Sequence, residues 1–374
     1  MKIFHFSDLH LDTPFTSSYF DVSLAQQCRL RLRRTLSKLL HFAQQQEVDI
    51  VTIGGDLFEN DRVSKDTLHF IAENFAKIAP TPVYIVPGNH DFYGINTPYA
   101  RYDWPDNVII FTENKLRSVE ITAEITLWGI AHTTPDTRES VLTDFRIPED
   151  DKWHILLMHG SETGPFSEAR AIHMPFTLQN LRDSGFKFSL LGHYHSAKDL
   201  PENAPIAVYP GTPQPLNFGE TGVHSAILLT LDENGTNLKA FSTETQLFHT
   251  LHLDIAKYSN TDALAQGVLE HCGDLAEEAN FLRLHLSGIP ERQQRFDLDL
   301  LKEQLSETFA YIKIQDDIHN ENELDDLARE PTVRGTFVRE LKEKLTSDQE
   351  DSELVRLALK YGLQAFEGEN ITIK

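Results

Sequence analysis

Cysteine is nearly absent: Cys28 and Cys272 are the only two in 374 residues, and they stand far apart in the chain. That leaves no disulfide framework, and free thiols in a reducing compartment are expected. No uninterrupted apolar run reaches the roughly 18 residues that a membrane span needs. The segment Met1 to Phe6 runs straight into a strand-like pattern, with no signal-peptide apolar region and no small-residue cleavage site. The expectation is a soluble cytoplasmic protein. Basic residues are scarce too: 34 Lys and Arg against 57 Asp and Glu give a formal net charge of −23, a field that repels a polyanionic ligand. Internal repeats and low-complexity linkers are also missing.

What is present is organised in three parts. A chain of 374 residues has room for two or three domains. Residues 1–245 alternate short apolar runs with longer amphipathic ones, the pattern of an α/β domain. Strands are expected at Lys2 to Phe6, Asp49 to Ile53, Pro82 to Val86, Thr126 to Ile130, His154 to Met158 and Phe188 to Leu191, with Ala207 to Tyr209 and Ser225 to Leu231 in a sheet edge or second sheet. Leu30, Leu32, Leu36, Leu39, Leu40 and Ala43 recur at helical spacing between the first two. Residues 246–320 change rhythm to strand, helix, strand, helix, strand, a compact βαβαβ unit. Residues 321–374 read as charged helices broken at Pro331. Acid is denser toward the end: residues 246–374 hold 14 Lys and Arg against 26 Asp and Glu, a net −12, while residues 1–245 hold 20 against 31, a net −11. Acidic helices of this kind are a solvated face or a docking surface for a basic partner.

Chemistry-bearing residues gather where the strands end. The first strand is followed by Ser7, Asp8, Leu9 and His10; the second by Gly54, Gly55 and Asp56; the third by Gly88, Asn89, His90 and Asp91. Two later strands are followed by His159 and Gly160, and by Gly192, His193, Tyr194 and His195. In an open α/β sheet, ligands bind beyond the carboxyl ends of the strands, so all five clusters fall on one rim. Read alone, Pro87, Gly88 and Asn89 are turn formers and His159 is a loop residue. Besides His90 and Asp91, the clusters together supply two Asp, one Asn and four His, a ligand set for two divalent metals. Asp8-x-His10 and His193-x-His195 skip one residue, so in an extended segment both members point to the same side. Two metals clamp a phosphoester, hold a hydroxide nucleophile and stabilise the leaving oxygen. With Asp8 and Asp56 as the only carboxylates in that ligand set, and a neutral Asn89, the site keeps the positive charge that draws a phosphodiester. Mixed nitrogen and oxygen ligation suits manganese, iron or zinc better than magnesium.

The motifs "DLH", "GGDLF", "GNHD", "MHG" and "GHYH", in this order over residues 1 to about 245, resemble the signature of the calcineurin-like metallophosphoesterases. "SDLHLDTPF", "VPGNHD", "FTLQNLRDSGFKFSLLGHYH" and "YPGTPQPLNFGETG" are most similar to the DNA repair exonuclease branch, the SbcD-like and YhaO-like relatives of the double-strand-break repair nuclease. The resemblance implies a metallophosphoesterase β-sandwich flanked by helices, a small α+β capping domain at 246–320 that helps shape the DNA end, and C-terminal helices at 321–374. It implies one metal, most often manganese, on Asp8, His10 and His195, a second on Asn89, His159 and His193, and Asp56 bridging. His90 is the implied catalytic histidine, which protonates the leaving oxygen or stabilises the transition state, and Asp91 either orients it or caps the loop. Where some relatives have a second histidine, three residues after the bridging aspartate, this chain has Glu59.

The implied activity is exonucleolytic, with or without endonuclease activity, and Glu59 leaves open whether exonuclease or endonuclease chemistry follows the relatives' pattern. The implied partners are DNA, an SMC-like coiled-coil ATPase docked by the last helices, and a second copy of the chain in a homodimer. A small-molecule phosphodiesterase or phosphatase on the same scaffold is the competing reading, and the intact ligands oppose a catalytically dead scaffold subunit. Arg29, Arg31, Arg33, Arg34 and Lys38 form the one dense basic stretch. It is either a solvated helix face or a set of phosphate contacts flanking the site. His5, His132, His173, His224, His249 and His252 lie outside the ligand pattern and are expected to be structural.

Overall fold

A computed structural model of the protein describes residues 1–374 apart from 17–19, 165–171, 221–223, 233–234, 244, 274, 276–278, 291–293, 295, 319–320, 346–351 and 368–374. The last residues of the "YPGTPQPLNFGETG" segment and parts of 321–374 thus lie outside the described residues. The chain divides into two compact units, Met1–Gln246 and Leu247–Lys374.

The first unit is built on two six-stranded sheets. One runs in the order β12 (Gly235–Ser242), β11 (Ser225–Asp232), β1 (Lys2–Phe6), β2 (Ile50–Ile53), β3 (Val83–Ile85) and β4 (Val108–Ile110). The other runs β5 (Arg117–Thr122), β6 (Ile125–Gly129), β7 (Trp153–His159), β8 (Phe188–Gly192), β10 (Ala207–Tyr209) and β9 (Lys198–Leu200). In each sheet the central block is parallel: β1 to β4 in the first, and β6, β7, β8 and β10 in the second. Parallel strands are covered on both faces. Accordingly every residue of β2 (IVTI), β3 (VYI) and β8 (FSLLG) is buried.

Between the sheets lies a core in which Ile3, Ile50 and Leu229 of the first meet Leu127, Ile155, Leu157 and Leu190 of the second. Helices cover the outer faces. The helix α1 (Val22–Gln45), capped by Asp21, packs on the first sheet through Phe42, whose ring centroid is 5.3 Å from that of Phe4. The helices α2 (Lys65–Lys77) and α3 (Pro98–Arg101) follow β2 and β3. On the second sheet, Leu181 of α4 (Leu178–Ser184) joins Leu156, Met158 and Leu191. The expected α/β class, a β-sandwich flanked by helices, is the architecture observed.

The second unit pairs β13 (Gln246–Asp254), β14 (Ala279–Gly288) and β15 (Tyr311–Ile318) in that order. Leu264 and Val268 of α5 (Thr261–Cys272) and Leu301 and Leu305 of α6 (Leu298–Leu305) cover Leu282, Leu284 and Leu286 of its central strand. The helices α7 (Glu321–Arg329), α8 (Val333–Leu345) and α9 (Ser352–Glu367) gather around Leu324, Val338, Leu359 and Leu363. Among the described residues, no helix is long and apolar enough to cross a membrane.

Candidate metal centre

Five loops, each leaving the carboxyl end of a parallel strand, carry the expected ligands. After β1 the chain does not stay extended: Asp8 and His10 are left-handed, at φ 56° and 50°. Their convergence therefore comes from tight turns rather than from strand alternation, which the Asp-x-His spacing had suggested. Asp56 (φ 51°) and His193 (φ 107°) are left-handed as well, so four of the seven expected ligand positions use backbone that ordinary side chains avoid. Such strain persists only where the surroundings enforce it. Here Asp8 N donates to Gly55 O (3.0 Å), His10 N to Asp56 O (3.0 Å) and Leu11 N to Leu57 O (2.9 Å). Close approach accounts for two glycines. A Cβ at Gly88 would collide with Asp56 Oδ1, and one at Gly192 with the Gly54 carbonyl oxygen.

The side chains meet on one rim. Asp8, His10 and His195 bring one donor atom each within 4.8 Å of one another, as do Asp8, Asp56 and His159, and also His10, Asp56 and His90. Asn89 Oδ1 lies 3.0 Å from His159 Nε2. The His193 ring centroid lies 5.1 Å from that of His159, and the His193 backbone N–H donates to Asp8 Oδ2 at 3.0 Å.

Three of these imidazoles are held in the same tautomer. Nδ1 of His10 donates to Glu59 Oε1 (2.8 Å), that of His195 to Glu220 Oε1 (2.9 Å) and that of His159 to Gly54 O (2.8 Å). With Nδ1 protonated, Nε2 carries the lone pair and faces the cluster. His10 Nε2 and His195 Nε2 then stand 3.2 Å apart, two acceptors directed at one another. The Asp8 and Asp56 carboxylates beside them are 0 % and 2 % exposed. Burial and the Asp56 carboxylate together push the Asp8 carboxyl up to about 8. Cations held among these groups would relieve both conflicts, so the donor set fits divalent metal ions.

His90 differs from the ligands in its surroundings. Its side chain is 45 % exposed, and Nδ1 donates to Glu59 Oε2 at 2.8 Å. That hydrogen bond holds the imidazole up to about 9, hence protonated at neutral pH. Burial pushes Glu59 up, but the hydrogen bonds from His10 and His90 outweigh it and bring the carboxyl down to about 2. Asp91 faces elsewhere. Its Oδ1 accepts from Asp56 N (3.0 Å) and Gly88 N (2.6 Å), and its Oδ2 from Leu57 N (2.8 Å) and Tyr99 OH (2.7 Å). Asp91 therefore pins the loops after β2 and β3 together, and the carboxylate on the His90 imidazole is that of Glu59.

Sequence reasoning missed several supports. Glu220 orients His195, and the Thr212 hydroxyl donates to Asp8 O at 2.8 Å. Both lie in the "YPGTPQPLNFGETG" segment, which carried a resemblance but no role for either residue. His132 and His173, set aside as structural, lie against ligands: His132 Nε2 donates to His159 O at 2.9 Å, and the His173 ring is 5.4 Å from that of His193. An open cleft of about 490 Å³, lined by Phe15, Phe20, Glu59, His90, His195 and Asn217 among others, borders the centre.

Residues 1–197 match the calcineurin-like phosphoesterase family, and the chain belongs to that family. It is a hydrolase acting on phosphoesters, in a family whose dimetal members use two divalent ions. Among known sequences it is similar to the metallophosphoesterase YhaO of Bacillus subtilis, named as uncharacterized, with 26 % identity over 357 residues, 90 % of this chain and 86 % of that one. It is also similar to the DNA double-strand break repair protein Mre11 of Methanopyrus kandleri, with 23 % identity over 246 residues, 60 % of this chain and 52 % of that one. Among solved structures, a dimetal phosphatase from Danio rerio aligns with a TM-score of 0.42 at 11 % identity, over 65 % of this chain and 96 % of that one.

Proposed function

We propose that this phosphoesterase is a two-metal DNA nuclease that hydrolyses phosphodiester bonds at DNA ends. In this reading it acts as an exonuclease in DNA repair or defence, beside an SMC-like coiled-coil ATPase and as a homodimer. The observation that carries the chemistry is the Glu59–His90 pair at the edge of a cluster of imidazole and carboxylate donors. Asp8, His10 and His195 would hold one ion, Asn89, His159 and His193 the other, and Asp56 both. Manganese is the proposed metal, with iron, zinc or magnesium as alternatives. When bound, such ions supply Lewis-acid polarisation of a phosphoryl oxygen and a nucleophile that is potent at neutral pH.

The remaining work falls to the chain. His90, kept protonated by Glu59 and reachable from solvent, delivers a proton to the leaving oxygen of the diester. Glu59 fixes the ring while its other oxygen fixes His10, so proton donor and ligand are aligned by one side chain. Asp91 keeps Gly88 and the backbone of Asp56 in place, which sets where Asn89 and His90 emerge.

Two points support DNA as the substrate. The archaeal relative is named as a DNA double-strand break repair protein, and the added second unit suits a polymer better than a small phosphoester, which needs none. The net charge of −23 favours the alternative, a small-molecule phosphodiesterase or phosphatase. Manganese-dependent digestion of end-labelled linear duplex DNA decides between them, with His90→Ala and Asp56→Ala run beside the wild type. The expected outcome is nucleotide release by the wild type, reduced at least ~100-fold in His90→Ala and abolished in Asp56→Ala. An intact duplex beside His90-dependent cleavage of a generic phosphodiester reporter would assign the protein to the alternative.

A further inference from the structure

The loop from His10 to Phe15 separates two depressions. One is the cleft at the metal centre. The other, of about 540 Å³, is lined by Arg29 and Arg33 of α1, by Arg62 and Ser64 ahead of α2, and by Asp12 and Pro14. Pro14 borders both. The acids in the second depression are already engaged. Asp12 Oδ2 accepts from Ser64 N (2.9 Å) and Thr67 OH (2.5 Å), and Asp66, at the same border, pairs with Arg33 at 2.7 Å. Arg29 is turned across the depression by a hydrogen bond from Nη1 to Pro14 O (3.2 Å), which uses one of its five N–H groups. Arg62 is exposed. Of the basic stretch noted in the sequence, Arg31 instead turns inward to Cys28 and Gln27.

Three guanidinium groups against the carboxylates of Asp12 and Asp66 leave this depression one charge positive in a strongly acidic chain, and their planar forks match phosphate oxygens. The distance suits a continuous strand. Pro14 is four residues from His10, so the two Cα atoms are at most about 14 Å apart. Phosphates recur about every 3.4 Å of helix axis along one strand of a duplex, so Pro14, with Arg29 hydrogen-bonded to its carbonyl, lies within a few nucleotides of His10.

We propose that the cleft of Arg29, Arg33 and Arg62 binds a backbone phosphate of the nucleic-acid strand cut at the metal centre, a few nucleotides from the scissile bond. The inference rests on the nuclease reading and adds how a protein of net charge −23 holds a polyanion. Its test is fluorescence anisotropy of a labelled single-stranded oligonucleotide in EDTA over a range of KCl, with full-length wild type, Arg62→Ala and Arg29→Ala/Arg62→Ala. Arg33 is left intact because it also ties α1 to Asp66 and Thr67. The double variant is expected to bind at least ~10-fold more weakly at low salt, with a slope of log K against log salt shallower by about 0.7, the contribution of the one single-strand phosphate contact it loses. With manganese, the ratio of kcat/KM on the oligonucleotide to kcat/KM on bis(p-nitrophenyl) phosphate is expected to fall in step. Wild-type salt slope and ratio in both variants, with the oligonucleotide still cut, would overturn this inference alone. A wild type that hydrolyses the reporter and leaves every oligonucleotide intact would sink the nuclease reading and this inference with it.

Discussion

One carboxylate, Glu59, accepts from both His10 and His90, so a single substitution tests whether ligand and proton donor are aligned together. Glu59→Gln keeps the shape and removes the charge. Loss of such an orienting partner typically costs about 10- to 100-fold, and the loss is expected in kcat with KM little changed. The pH profile gives the sign. His90 must be protonated to donate, so activity falls as pH rises through its pKa, which the Glu59 hydrogen bond holds high. In Glu59→Gln the basic limb of the kcat profile on a phosphodiester reporter should therefore move to lower pH. A limb that stays in place would assign the proton transfer to another group. The seven candidate ligand positions could be picked out in the sequence because each sits in a short motif directly after an apolar run. The second oxygen of Glu59 and the Glu220 carboxylate were not. Glu220 stands 25 residues from His195, and no local pattern records that a loop folds back to meet an imidazole. Asp91 shows the same limit. Its place beside His90 left an orienting role and a loop-capping role both open, and its carboxylate is spent on the backbone of two loops, the second of these.

At the scale of elements, His5 links three strands and the two sheets of the first unit. Its Nδ1 is 3.1 Å from Thr52 Oγ1 on β2, and its Nε2 donates to Leu191 O on β8 at 3.0 Å. Burial brings its pKa down to about 4. The sign follows from linkage: the unfolded chain takes up this proton near pH 6.5 and the folded one only near pH 4, so the stability due to neutral His5 is whole above pH 6.5. It declines as pH falls from 6.5 toward 4 and then levels, a loss of roughly 3 kcal/mol over that window. Urea unfolding of His5→Gln between pH 7 and 4.5 should show a flatter fall than the wild type, by about one proton. Equal slopes would mean that His5 is not the titrating link. The buried parallel strands were readable as continuous apolar runs, and β1, β7 and β8 fall within a residue or two of the expected bounds. Four edge strands were not read: β4, β5, β9 and β12. They are short or largely exposed, and β12 (GTNLKAFS) is exposed at five of its eight residues. Their place is set by the neighbour they pair with rather than by their own pattern.

For the whole molecule, the centre concentrates groups that resist each other when no cation is bound, within a chain that already carries a net charge of −23. Ion binding should therefore stabilise the fold, and only where the ligands are. All seven proposed ligands lie in the unit Met1–Gln246, and none in Leu247–Lys374. At a free ion concentration a hundredfold above Kd, one site adds about 2.7 kcal/mol. For a unit of this size each kcal/mol is worth about 2 to 4 °C, so a shift of about 5 to 10 °C is expected. Differential scanning calorimetry with manganese and with EDTA should move the transition of the first unit and leave that of the second in place. The shift should be larger at pH 8.5 than at pH 6.5, because the proton held by Asp8, whose carboxyl is pushed up to about 8, has to leave before that oxygen can bind a metal. Asp56→Asn removes the carboxylate placed between the two ligand sets and should shrink the shift. A scan in which manganese leaves the first transition of the wild type unmoved at both pH values would mean that the convergence of His10, His195, Asp8 and Asp56 is a packing arrangement and not a metal centre, and the two-ion chemistry would fall with it.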